Sequence, residues 1–199
     1  MKKSIIILVL SLIVLSTAFS ASTSLGVSVN YLNTSVIVDT ESDRFGFEGS
    51  LGFPVFSAIL GTLDSVSNGE DFKFVKFLLP GVMVNPYFKA VNGNKFQLRL
   101  GLQEDILVFF DKGNISAAGL LGASVGMNYK FSDKFGMNLN AGIPLALPLS
   151  LISNDAASWT LFYLSSTEMD KSDIAKILFG GFGCAMNQFL RLSFKWALY

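Results

Sequence analysis

Catalysis or metal binding needs a base, a nucleophile or a set of ligands, and this chain is sparing with all three. It has no histidine, which removes the usual general base and the usual metal ligand together. Its single cysteine, Cys184, excludes a disulfide framework within one chain and reads as a small hydrophobe rather than a reactive thiol. The run VDTESD sets Asp39, Glu41 and Asp43 at alternate positions. It lacks the glycine and the distal glutamate of an EF-hand loop and reads as a solvated acidic connection rather than a calcium site. Glu104 and Asp105 are adjacent, so an extended chain sends them to opposite faces, a poor arrangement for an acid–base pair. The glycines at 119, 122 and 126, and at 180, 181 and 183, match neither a dinucleotide fingerprint nor a phosphate loop. No catalytic, metal or cofactor-binding residue is therefore assigned, and no enzyme is expected.

What remains is a set of polar residues at alternate positions among apolar ones: Glu48, Arg99, Asn128, Lys130, Asn138, Asn140, Arg191 and Lys195. The chemistry open to them is ion pairing and hydrogen bonding on one shared face. Glu48, Arg99 and Arg191 fall on three different segments, where opposite charges either pair across an enclosed space or sit solvated near a rim.

The elements that position them read as strands, because apolar residues recur with period two. Eight segments show it: Leu25 to Tyr31, Phe45 to Phe53, Val82 to Lys89, Phe96 to Gln103, Ala123 to Phe131, Phe135 to Ile143, Leu178 to Gly183 and Leu190 to Leu198. VNGN (Val91 to Asn94) and SDK (Ser132 to Lys134) carry turn chemistry. Longer connections are expected at about 36–43, 55–72, 104–117 and 147–175, the last with room for a further strand at Trp159 to Leu164. The nearest approach to helical spacing is Phe56, Ile59, Leu60 and Leu63, a turn or two. Pro54, Pro80, Pro144 and Pro148 fall near proposed strand ends, but Pro86 falls inside the third segment, where it cannot donate to a ladder and asks for a bulge.

Composition decides which face is inside. The chain is 51% hydrophobic with 19 Phe and 18 Gly, yet beyond its first residues no apolar run is long enough for a membrane helix. A soluble sheet surface carries many Lys, Glu and Thr, whereas the polar positions here are mainly Gly, Ser, Asn and Gln. Small polar residues suit the confined inside of a narrow barrel, and aromatics such as Tyr31, Phe45, Phe88, Tyr129, Phe135 and Trp196 fall near strand ends on the apolar face, as in an aromatic girdle. The expected fold is an all-β, antiparallel up-and-down transmembrane β-barrel of about eight strands, with ten possible. Cys184, in phase with Phe182 and Met186, is then expected to face lipid. A soluble β-barrel with the apolar face inward is the alternative.

The chain opens with Lys2 and Lys3, an apolar run from Ile5 to Leu15 and small residues including Ala18 and Ser20. This is the pattern of a cleavable secretory signal over 1–20, cut after Ser20 or Ser22, leaving 21–199 as one domain. Loss of Lys2 and Lys3 takes the formally neutral chain to two net negative charges, which gives no electrostatic case for nucleic acid.

YKFSDKFGMNLNAG resembles the strand–turn–strand repeat of small bacterial outer-membrane β-barrel proteins, the eight-to-ten-stranded porin-like superfamily, and FLRLSFKWALY resembles their last strand. The resemblance implies export by a Sec signal, insertion by the barrel-assembly machinery, contact with outer-membrane lipid and no shared catalytic residue; it leaves the oligomeric state unknown. The expected function is an outer-membrane barrel without catalysis, structural or interactive, or allowing passage of small or hydrophobic solutes; the alternative is a soluble periplasmic barrel that binds a lipid or other hydrophobic ligand. Two departures accompany the resemblance. Tyr199 falls in phase with Arg191 and Lys195 rather than with the apolar face. The eight segments above also put the short turns VNGN and SDK at the end opposite the termini, whereas the family places short turns beside them.

Overall fold

The computed structural model describes residues 22–30, 33–53, 81–111, 114–152, 160–165 and 171–198. The expected signal over 1–20, the Phe56 to Leu63 stretch and Tyr199 lie outside them. Nine strands and two helices are seen among the described residues: β1 Ser22–Asn30, β2 Thr34–Glu41, β3 Phe45–Phe53, β4 Gly81–Asn92, β5 Phe96–Asp111, β6 Asn114–Lys130, β7 Phe135–Pro144, α1 Ala146–Ser150, β8 Leu161–Ser165, α2 Lys171–Phe189 and β9 Arg191–Ala197.

Seven neighbouring strand pairs run β5-β4-β3-β2-β1-β9-β7-β6, and β5 pairs with β6 to close the ring. The result is an eight-stranded, all-antiparallel, up-and-down β-barrel of β1–β7 and β9. Cross-strand partners set its shape. Followed round from Glu104 through Val84, Gly49, Val38, Leu25, Trp196 and Phe135, they return to β5 about ten residues nearer its start. A stagger of that size over eight strands tilts each by roughly 40°, so strands of 8 to 10 residues rise roughly 20–25 Å along the barrel axis.

Two sequence expectations are corrected, and they are linked. Residues 36–43, expected as a connection, are mostly β2, paired with β1 and β3 along its length. The three consecutive apolar residues Val36, Ile37 and Val38 hide its alternation, because Ile37 points inward with Ser35 and Asp39 and is fully buried. Leu178 to Gly183, expected as a strand, lies within α2. Leu178 and Phe182 are four apart, a helical spacing, and the intervening glycines imitate alternation. The strand number stays at eight while every strand from β3 to β7 reverses. The turns at 42–44, 93–95 and 131–134 therefore lie at the end where β1 begins and β9 finishes, and the long connections lie at the other, here termed the crown.

Local chemistry makes the short turns. Ser42 N–H donates to Phe45 O at 2.8 Å, Gly93 N–H to Phe96 O at 2.9 Å, and Ser132 Oγ accepts from the Lys134 and Phe135 N–H groups at 3.3 and 3.1 Å. Pro86 is accommodated inside β4: the ladder to β3 runs through Phe47↔Pro86, the ladder to β5 skips Asn85 and Pro86, and the bulge comes later, between Lys89 and Val91.

At the crown, β5 and β6 continue as a ribbon beyond the Leu107–Ala118 pair, where the pairing with β4 ends, out to Asp111–Asn114, roughly 10 Å beyond the mouth. The expected connection at 104–117 is thus mostly this ribbon. β8 overlaps the extra strand anticipated at Trp159 to Leu164, but it pairs only with residues 116–120 of β6 and lies outside the barrel. The buried apolar cluster Leu107, Leu120 and Cys184, with Ala146, Leu161 and Ala185 against it, sits between α2 and the ribbon. This apolar cluster therefore lies on top of the barrel, while inside it buried apolar side chains such as Ile37 and Met83 are scattered among polar ones.

Candidate functional site: an ion-paired lumen

Period two and barrel closure sort the side chains into two populations. Leu25, Val38, Leu51, Leu100, Val125 and Trp196 point outward and are well exposed. Their neighbours in sequence point into the lumen and are buried although most are polar: Ser28, Asp39, Glu48, Asn85, Gln97, Gln103 and Ser193 among them.

Burying ions in a narrow space is unfavourable unless each finds partners, and here the charges form a chain of alternating sign. Asp39, on β2, accepts from Arg99 at 2.8 Å, Lys195 at 2.8 Å and the Tyr87 hydroxyl at 2.7 Å. Lys195 also donates to Glu48, whose other oxygen takes Arg191. Arg99 reaches on to Glu41 at 3.0 Å, which also pairs with Lys89 at 3.0 Å. The Arg99 guanidinium lies 4.4 Å from the centre of the Tyr87 ring, a cation–π contact. Amides extend the network: Gln97 Oε1 accepts from Arg99 and from Asn128, each at 3.0 Å, and the Asn140 and Gln103 amides lie 2.8 Å apart.

Inward glycines make room for these long side chains. A Cβ at Gly46 would sit 2.2 Å from the Tyr87 ring, so only glycine lets the tyrosine lie across β3 toward Asp39. Tyr87 thus holds one side of the carboxylate while Arg99 and Lys195 hold the others.

Of the residues singled out from sequence, Glu48, Arg99, Asn128, Asn138, Asn140, Arg191 and Lys195 are buried in the lumen. Lys130 lies at its rim with 38% of the side chain exposed, 3.6 Å from Glu41. Glu48 and Arg191 pair with each other, whereas Arg99 pairs elsewhere, with Asp39 and Glu41. Those two carboxylates were expected in a solvated acidic loop; they stand on β2, in phase with Ser35 and Ile37, and that phase was the signal available in the sequence. Glu104 and Asp105 do point to opposite sides, Asp105 buried inward.

The crown mouth is covered by the end of α2. Asn33 Nδ2 donates to Asn187 Oδ1 at 3.2 Å and Gln188 Nε2 to Leu120 O at 2.5 Å. Gly122 leaves space for the Gln188 amide, since a Cβ there would lie 2.2 Å from its Oε1. Cys184 does not face outward as expected from strand parity. It is fully buried against β6, its thiol donating to Ala118 O at 3.6 Å.

Chemically this arrangement fixes strands to one another and fills space. Among the described residues no group of side chains is arranged to hold a metal ion, and no helix is long and apolar enough to cross a membrane, which says nothing of the strands. Compared with protein-family models, curated proteins and solved structures, the chain matches none.

Proposed function

We propose that this protein is a transmembrane barrel of a bacterial outer membrane, without catalysis, structural or interactive in role, with its apolar face against lipid and its lumen closed to solutes. The observation that carries the reading is the inverted distribution of polarity. Large apolar side chains line the outside on every barrel strand, while Asp39, Glu48, Arg99, Arg191 and Lys195 are buried inside. Soluble monomers rarely expose apolar patches beyond a few hundred Å², and a lipid-facing barrel surface is the setting in which such a band is favourable. The strand rise of roughly 20–25 Å is close to the ~25 Å height of such a band.

Clustered aromatic rings mark one edge of it. Phe135 lies 5.3 Å from Trp196 and 5.5 Å from Phe131, and Phe45 lies 5.4 Å from Phe88, all beside the short turns, where an interfacial girdle belongs. The soluble alternative, a barrel binding a hydrophobic ligand inside, needs an apolar lumen. This one is crossed by ion pairs, which also speaks for a plug rather than a passage. Export by the signal over 1–20 and insertion by the barrel-assembly machinery complete the proposal.

Membrane fractionation with carbonate and urea washes tests it, together with gel migration before and after heating in detergent. The protein is expected to stay with the membrane and to run as a compact species until heated. Recovery in the soluble fraction would refute the membrane reading. In planar bilayers, refolded protein is expected to give no discrete current steps; regular steps would refute the closed lumen.

A further inference from the structure

The crown carries a feature that the closed lumen does not explain. α2 has two faces. One, with Gly183, Cys184, Asn187 and Gln188, is buried against the ribbon and the barrel mouth and is small and polar. The other, with Ile177, Leu178, Gly181, Phe182 and Ala185 at helical spacing, lines a groove of about 490 Å³. Leu178 and Phe182 are each 68% exposed. A helix normally buries its apolar stripe; here Leu178 and Phe182, one turn apart, are left largely uncovered.

The opposite wall is Pro144, Leu147 and Leu161, with Leu120 behind, so no charged or amide side chain lines the groove. Gly181 holds it open: a Cβ there would come within 3.3 Å of Leu161 Cδ1. Glycine inside a helix is destabilising relative to alanine, so the space comes at the expense of helix stability.

We propose that this groove binds the hydrocarbon tail of a membrane lipid, entering sideways from the barrel surface; the inference rests on the membrane reading above. Two observations select that occupant. The groove adjoins the outward apolar face at its rim: Leu147, a wall residue 63% exposed, follows the outward Ile143, 61% exposed, by four residues, with the buried Pro144 between them. Its wall also offers almost nothing for a hydrogen bond. A peptide segment laid there would leave backbone N–H and C=O groups unpaired at a desolvation cost, whereas an acyl chain has no such groups, and its head group can remain in water. The volume is in the range of small-ligand sites.

The test uses the full chain refolded into phosphatidylcholine and phosphatidylglycerol vesicles, with a small fraction of lipid bearing a photoactivatable diazirine on its acyl chain. Labelled peptides are mapped by mass spectrometry. The expected result is labelling both of β6 around Val125 and of α2 around Leu178 and Phe182. In Gly181→Leu, which fills the groove, α2 labelling should fall roughly tenfold, as when about two methylenes are denied burial, while β6 labelling is unchanged. Phe182→Asn gives a second variant that makes the wall polar without adding bulk, and compact migration before heating checks that each variant is folded. Labelling of β6 without α2, or α2 labelling that both folded variants retain, would overturn the lipid groove and leave the membrane reading standing. Absence of labelling at β6 and α2 alike would overturn both.

Discussion

Removing one carboxylate from the middle of the lumen tests whether the ion-pair chain holds the barrel. Asp39→Asn preserves shape and leaves an amide oxygen for the Tyr87 hydroxyl, but withdraws the charge shared by Arg99 and Lys195, each at 2.8 Å. Breaking a buried pair from one side costs about 3–5 kcal/mol because a charge is left uncompensated. Here each cation keeps a second carboxylate, Glu41 for Arg99 and Glu48 for Lys195, so the lower end, about 3 kcal/mol, is expected. In urea unfolding of the detergent-folded barrel, that is a fall in midpoint of roughly 1.5 M at a slope of about 2 kcal/mol per M.

The double variant Asp39→Asn with Lys195→Gln sharpens the test. It leaves Arg99 with Glu41 and Glu48 with Arg191, so each of those groups has an opposite charge beside it. Its destabilisation should fall short of the sum of the single changes by about 0.5–3 kcal/mol, the range for residues in one network. A single Asp39→Asn midpoint equal to wild type, or strictly additive changes, would show that the lumen charges are solvated and refute the network as a source of stability.

Other outcomes follow from the same geometry. Leu100, 45% exposed on the outward face near the middle of β5, is expected to tolerate Arg within about 0.5 kcal/mol if that face meets water and to lose about 2–4 kcal/mol in bilayers if it meets lipid; the second result is expected, read by unfolding in vesicles. Burial pushes the Cys184 thiol up from its ordinary range, helped by the nearby Asp105 and Glu104 carboxylates, so a maleimide at pH 7 should leave the folded protein unmodified and label it on unfolding; labelling of the folded protein at the unfolded rate would place α2 away from the ribbon. Gln188→Ala leaves the Leu120 carbonyl without its donor and should cost about 1–3 kcal/mol, seen as faster proteolysis within α2 while the barrel still migrates as a compact species before heating. Proteolysis at the wild-type rate would show that α2 is not held at the mouth by this contact.

Much of the barrel was legible because period two survives wherever one face is wholly apolar. Ala123 to Phe131 and Phe135 to Ile143 were placed within a residue or two of the barrel portions of β6 and β7. The lumen residues were legible for the same reason, by phase alone. Phase gave no partners, because which strands face each other across the lumen depends on the count and order of all eight. Arg99 illustrates this: its inward direction could be read from Leu98 and Leu100 on either side, but its contact with Asp39 required β2 to be a strand. The ribbon and α2 were illegible for another reason. Their packing is decided at the crown, where Gly183, Cys184 and Gln188 fit one particular surface, and small residues carry almost no periodic signal.

The reversal of the short turns is the most instructive consequence of reading phase without partners. Eight is an even number, and an up-and-down barrel with an even count brings both ends of the chain to one rim. Replacing β2 by a false strand within α2 kept the count even and so kept the termini together, yet turned every strand between the two errors upside down. The physical clue was available in the mismatch between short turns and termini, and it locates the errors: they must lie on either side of VNGN and SDK, one before residue 91 and one after 134. Only Thr34–Glu41 and Lys171–Phe189 meet that requirement among the described residues. The same correction that restores the orientation moves Asp39 and Glu41 into the lumen beside Arg99. Topology and electrostatics therefore constrain each other here: with β2 in place, Arg99 and Lys195 gain the carboxylate that lies between them, and without it the lumen would bury cations that lack that partner.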